Sequence, residues 1–128
     1  MLFAVTPELF RKYVTKAINE IPEEFQEKME NVEILVEDFP DLETVESLEL
    51  DSEWDLLGLY VGVPMSEKSV FSINVLPERI YLYRRPILRA AQNRNVVELI
   101  REVVIHEVGH HFGFDDEALD EMIGRSGE

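Results

Sequence analysis

The segment NVVELIREVVIHEVGHHFGFDD, Asn95 to Asp116, reads as one helix with both ends marked. Asn95 is a good N-cap, and Glu98 three positions later makes a variant of the capping box. Val96, Val97, Leu99, Ile100, Val103, Val104 and Val108 then supply apolar positions at helical spacing. Gly113 tolerates the left-handed conformation in which helices end. The pattern predicts a helix of about 17 residues, Val96 to Phe112.

Outward from this helix, the chain divides into short elements. Arg79–Arg84 alternates Ile80 and Leu82 against Tyr81 and Tyr83, the mark of a strand, and Pro86 opens a short helix, Ile87 to Gln92. Leu56–Val63 is apolar and stops at Pro64, which predicts a buried strand; residues 64–78 read as a loop with a short extended piece at Val70–Val75. Residues 40–55 are acidic and lack periodicity, so they read as a loop, with a docking surface for a basic partner as the functional alternative. Asn31–Phe39 alternates as a half-buried strand. Thr6-Pro7-Glu8 starts a first helix that Pro22 ends, and a second short helix follows from Glu23 to Met29. After Gly113, Asp116 to Ile123 forms a last short helix with Leu119, Met122 and Ile123 on one face. The order of helices, strands and helices indicates a small α/β or α+β layer fold, one domain over 1–128.

The composition bounds the partners. A net charge of −15 argues against a protein held to nucleic acid by phosphate contacts. Six arginines cluster between Arg79 and Arg101; they read as solvated surface residues or as a patch for an anionic substrate group. There are no cysteines, so disulfides and thiolate metal sites are excluded. No apolar run reaches the roughly 20 residues of a membrane helix, and the first residues lack a basic n-region. The expectation is a cytoplasmic protein with no membrane and no nucleic-acid partner.

All three histidines, His106, His110 and His111, fall within six residues. His106 and His110 are four apart, so a helix places them on one face, where two imidazoles can reach one zinc ion. Glu107 stands beside the first, suited to take a proton from a water at the metal's open position. Chance gives such a five-residue pattern in roughly one shuffled chain in a hundred, so the capped helix around it adds the needed weight. A catalytic zinc site needs a third protein ligand. Gly113 lets the chain turn back, and Asp116 occupies the place where extended zinc motifs put a third histidine. Asp115 is the alternative, as ligand or as acceptor for a ligand histidine; either acid can also cap the last helix. His111, rotated about 100° around the helix, reads as partly exposed or as support for a ligand. Met122 is core or a hydrophobic base beneath the metal. Strand 79–84 is expected at a sheet edge, where an extended peptide substrate could pair with it. Tyr81 and Tyr83, on one face of that strand, pack there or stabilise an oxyanion.

His106-Glu107-Val108-Gly109-His110-His111-Phe112-Gly113-Phe114-Asp115-Asp116 resembles the signature of a bacterial family of very small zincin-like metallopeptidases, an HExxHxxGxxD motif. Leu57–Pro64 and Leu82–Leu88 are similar to two further segments of that family, so the resemblance covers roughly 55–123. It implies a minimal zincin fold, with a short mixed sheet packed against helices including one active-site helix. It also implies zinc ligation by His106, His110 and Asp116, and Glu107 as catalytic base. The expected function is a zinc-dependent peptidase acting on a peptide or protein. The alternative is a catalytically silent protein of the same shape that serves as a protein-binding or regulatory module. A metal-dependent nuclease has only the arginine cluster in its favour, and the acidic charge opposes it.

Overall fold

The computed structural model describes residues 5–62 and 78–126. Among these residues, helices α1 (Pro7–Asn19) and α2 (Glu23–Lys28) lead into strand β1 (Val32–Glu37). Helix α3 (Leu42–Ser47) and a 3-10 turn, Glu53–Asp55, precede β2 (Gly58–Val61) and β3 (Glu78–Tyr83). Helices α4 (Arg84–Ala91), α5 (Val96–His111) and α6 (Asp116–Ser126) complete a small α+β fold. None of these helices is long and apolar enough to cross a membrane.

The helix ends follow local chemistry. Thr6 accepts from Leu9 N at 3.1 Å to start α1, and Asn95 Oδ1 accepts from Glu98 N at 3.2 Å to start α5. At the far end of α5, Gly113 has φ 85°. Its N–H donates to His110 O and that of Phe114 to Gly109 O, the paired bonds that close a helix in a left-handed residue. Phe114 then lies 6.1 Å, ring to ring, from Phe25 of α2, which pins the turn to the core.

The sheet has the order β1-β3-β2, with β1 parallel and β2 antiparallel to β3. Expected at an edge, strand 79–84 is instead the centre of the described sheet. Ile80 and Leu82 are buried against the helices, which an edge strand could also achieve, so local alternation does not reveal how many partners a strand has. The edge position next to α5 belongs to β2. The predicted buried strand 56–63 shortens to four paired residues; only Gly58 is fully buried, and Val61 is 45% exposed because β2 has a partner on one side only among the described residues. The piece at Val70–Val75 lies outside the described residues.

The acidic stretch 40–55 is not a plain loop. Asp41 Oδ1 accepts from Thr44 N at 2.8 Å and starts α3, and Ser52 accepts from Trp54 N to start the 3-10 turn. No residue of α3 is buried, and Leu42 is 71% exposed, so caps rather than an apolar stripe define this helix. Helix α4 begins at Arg84, directly off β3 and earlier than Ile87. Arg84 is buried, and its guanidinium donates to Asp38 Oδ1 at 2.8 Å and to Val5 O at 2.7 Å, which ties the strand-to-helix corner to β1 and the N-terminal segment.

One core joins these elements. Phe10, Val14 and Ala17 of α1, Phe25 of α2, Ile80 and Leu82 of β3, Ile87 of α4 and Leu119 of α6 surround Ile100, Val104, Ile105 and Val108 of α5. Each large side chain among them contributes about 1.5–3 kcal/mol by leaving water. Arg101 breaks the pattern. It is 4% exposed, and among the described residues its Nε has no hydrogen-bond partner and its one ion pair, to Glu20, is long at 3.4 Å. A buried guanidinium so poorly matched costs more than its pairing returns. Arg101→Met should therefore raise stability by about 1–2 kcal/mol, read as a higher thermal midpoint. A fall in the midpoint would show that the Glu20 pair is a net support.

Candidate metal centre

His106 and His110 lie one turn apart on α5, with ring centroids 6.1 Å apart. After the Gly113 turn the two aspartates divide their work. Asp115 Oδ1 accepts from Ala118 N at 2.9 Å and so caps α6. Asp116, the first residue of that helix, keeps its carboxylate free of capping, and its Oδ1 lies 3.2 Å from His110 Nε2. One candidate ligand atom from each of His106, His110 and Asp116 falls within 4.8 Å of the other two. No other group of histidine and acid side chains among the described residues converges in this way.

The donor set fits a zinc ion. Ligand atoms about 2.0–2.1 Å from a tetrahedral metal are roughly 3.4 Å from one another. The His110–Asp116 separation of 3.2 Å is close to that value, and the limit of 4.8 Å for the trio lies within reach of a small side-chain rotation. His110 and Asp116 are exposed, so an ion can enter from solvent. With two imidazoles and one carboxylate, the set leaves a fourth position for water.

Glu107 lies beside this group at the junction of α5 and β2. Burial raises its carboxyl pKa above the usual value, and the neighbouring His110 partly offsets this. A carboxylate with a raised pKa holds a proton more readily, as a general base should. Two glycines allow the close packing around it. A Cβ at Gly58 would lie 2.7 Å from Val103 Cγ1 and 3.6 Å from Glu107 Cγ, so β2 rests directly on α5 beside Glu107. A Cβ at Gly109 would overlap Leu119 Cδ2, so α6 packs directly against the turn that carries His110. Sequence reasoning missed both glycines. Gly109, set among β-branched residues in a helix interior, was the available signal.

His111 is not part of the trio. It stacks on Tyr60 with centroids 4.1 Å apart, and its Nε2 is 3.4 Å from Glu78 Oε1. The Tyr60 hydroxyl donates to the same carboxylate, and burial with that bond pushes the phenol pKa up. These three residues join the end of α5 to β2 and β3. Met122 is buried in the core cluster, as plain packing requires. Tyr81 and Tyr83 lie on the sheet face turned away from α5, since Gly58, which faces the helix, pairs with Leu82, and Leu59 pairs with Tyr81. That orientation gives no support to an oxyanion role for either tyrosine.

No curated protein shows significant similarity to the chain. Residues 29–125, which span the sheet, the histidine-bearing helix and the aspartate after its turn, match the family model described as zincin-like metallopeptidase, and the chain belongs to that family.

Proposed function

We propose that the protein is a zinc-dependent peptidase, with His106, His110 and Asp116 as the zinc ligands and Glu107 as the base. The convergence of those three side chains beside a half-buried glutamate carries this reading. When bound, the metal supplies Lewis acidity, which polarises the scissile carbonyl and makes a water easier to deprotonate. Glu107 accepts that proton at a carboxylate oxygen and returns it to the leaving amine. The edge of β2 that has no partner among the described residues, four residues beside α5, offers main-chain groups to an extended peptide. This moves substrate pairing from 79–84 to 58–61.

The test is metal content followed by cleavage. After mild zinc exposure and desalting, elemental analysis should find close to one zinc per wild-type chain and a loss of most of it in His110→Ala and Asp116→Ala. A mixed peptide library should be cleaved by the wild type, with activity removed by a chelator and restored by zinc. Zinc retained in Asp116→Ala would overturn the ligand set. Full zinc loading without cleavage of any peptide would favour the silent binding module.

A further inference from the structure

On the sheet face turned away from α5 lies a groove of about 370 Å³. Leu59, Tyr81 and Tyr83 line it from the sheet, and Glu37, Phe39 and Asp41 from β1 and the start of α3. No lysine or arginine among the described residues lines it. Tyr83 is only 3% exposed, yet it reaches this groove and its hydroxyl has no hydrogen-bond partner among the described residues. Tyr81 and Tyr83 are parallel within 6°, with centroids 6.4 Å apart. Glu37 is exposed and has no ion pair among the described residues, and Asp41 uses one carboxylate oxygen on Thr44.

We infer that this groove is a specificity subsite for a lysine or arginine side chain of the peptide substrate, which enters across Leu59 from a peptide paired to the edge of β2 that has no partner among the described residues. The inference rests on the peptidase reading for the word substrate; the groove itself does not depend on it. A strand added to β2 would lie about 4.8 Å beyond it and alternate its side chains between the two faces of the sheet. Every second side chain would therefore leave toward Leu59 and Tyr81. The stem of a lysine or arginine is apolar and suits Leu59 and the tyrosine rings, while its charged end suits aromatic faces and carboxylates. The Tyr83 phenol is pushed up to about 12, first by burial and then by Asp41, Tyr81, Glu37 and Glu107. At neutral pH it stays protonated and adds no negative charge of its own; the two acids supply the complement to a cation. An acidic side chain would meet two like charges there, and the nearest cation along β3 on that face, Arg79, lies beside Val61 and not among the lining residues.

Two arms test the subsite and separate it from catalysis. In the first, the full chain is titrated with end-capped pentapeptides carrying a central lysine, or norleucine in its place, and followed by NMR. The lysine peptide should shift Leu59, Tyr81 and Tyr83 signals and bind about tenfold more tightly than the norleucine peptide. Glu37→Gln, Asp41→Asn, which keeps a helix cap, and Tyr83→Phe should each shrink that ratio. Equal binding of the two peptides, or shifts confined to other surfaces, would overturn the subsite. In the second arm the zinc-loaded protein is assayed on the same pair, and the ratio of kcat/KM should favour lysine by a similar factor. Lysine-selective binding with no cleavage sinks the peptidase reading alone, whereas cleavage without basic preference sinks the subsite alone.

Discussion

Glu107→Gln should keep its zinc and lose about 10²–10⁴-fold in kcat/KM on any peptide the wild type cleaves. The amide has nearly the same shape, so His106, His110 and Asp116 keep their places, but it cannot accept the proton. The same variant should make the metal-free protein more stable at neutral pH. Burial raises the Glu107 carboxyl pKa in the folded protein, so the folded state holds this proton more tightly than the unfolded chain. Below the ordinary value of 4.5 the group is protonated in both states and contributes no difference. As pH rises above that value, ionisation is harder in the folded state and the wild type loses stability relative to the glutamine variant. Thermal midpoints of the two metal-free proteins should therefore converge near pH 4 and separate toward pH 7, with glutamine higher. Zinc loss in Glu107→Gln, or wild-type turnover with zinc retained, would defeat the assigned role.

Gly109→Val should be the most damaging single change outside the histidines. Any Cβ there overlaps Leu119, which is fully buried, and a branched one cannot be relieved by a rotamer change. Overpacking of this kind costs about 2–3 kcal/mol. For a chain of this length each kcal/mol moves the thermal midpoint by about 3–6 °C, so a fall of roughly 6–18 °C is expected. The metal site should suffer as well, because Leu119 is three residues after Asp116 on α6. Displacing one moves the other from His110, so zinc content should drop even where circular dichroism shows a folded protein. Adding Leu119→Ala should recover part of the loss, giving a favourable coupling of about 1 kcal/mol or more in a double-mutant cycle. Strict additivity would mean that the two residues do not meet.

The two ends of α5 were legible because caps act over a few residues. Asn95 and Gly113 marked the helix that the structure contains, to within one residue at Phe112. The spacing of His106 and His110 followed from the helix, and the position after the Gly113 turn pointed to Asp116 with Asp115 as its alternative; which of the two caps α6 appears only in the fold. Helix α3 was hidden because Asp41 and Thr44 start it without an apolar stripe to follow. The central place of β3 could not be read from Ile80, Leu82 and the tyrosines, since pairing on both sides is settled by residues distant in sequence. For the same reason Gly58 gave no signal, and Gly109, a glycine inside a helix, marked a close approach without naming the neighbour: Val103 and Glu107 in one case and Leu119 in the other appear only when elements pack. The groove over Tyr83 likewise draws on β1, β2, β3 and α3.

The three converging side chains all come from the eleven residues His106 to Asp116, with the Gly113 turn between the two helices. Closing so short a loop costs little chain entropy, whether or not the rest of the molecule is folded. A denatured chain would therefore retain appreciable affinity for the ion, and ligand binding to both states partly cancels in the stability balance. Saturating metal should raise the melting temperature by less than its affinity for the native protein implies, and a peptide spanning α5 and the start of α6 should compete for the ion measurably. The sheet donates none of these ligands. Loading and global stability can thus vary separately, and a chain still emerging during synthesis could capture its metal once Asp116 is exposed.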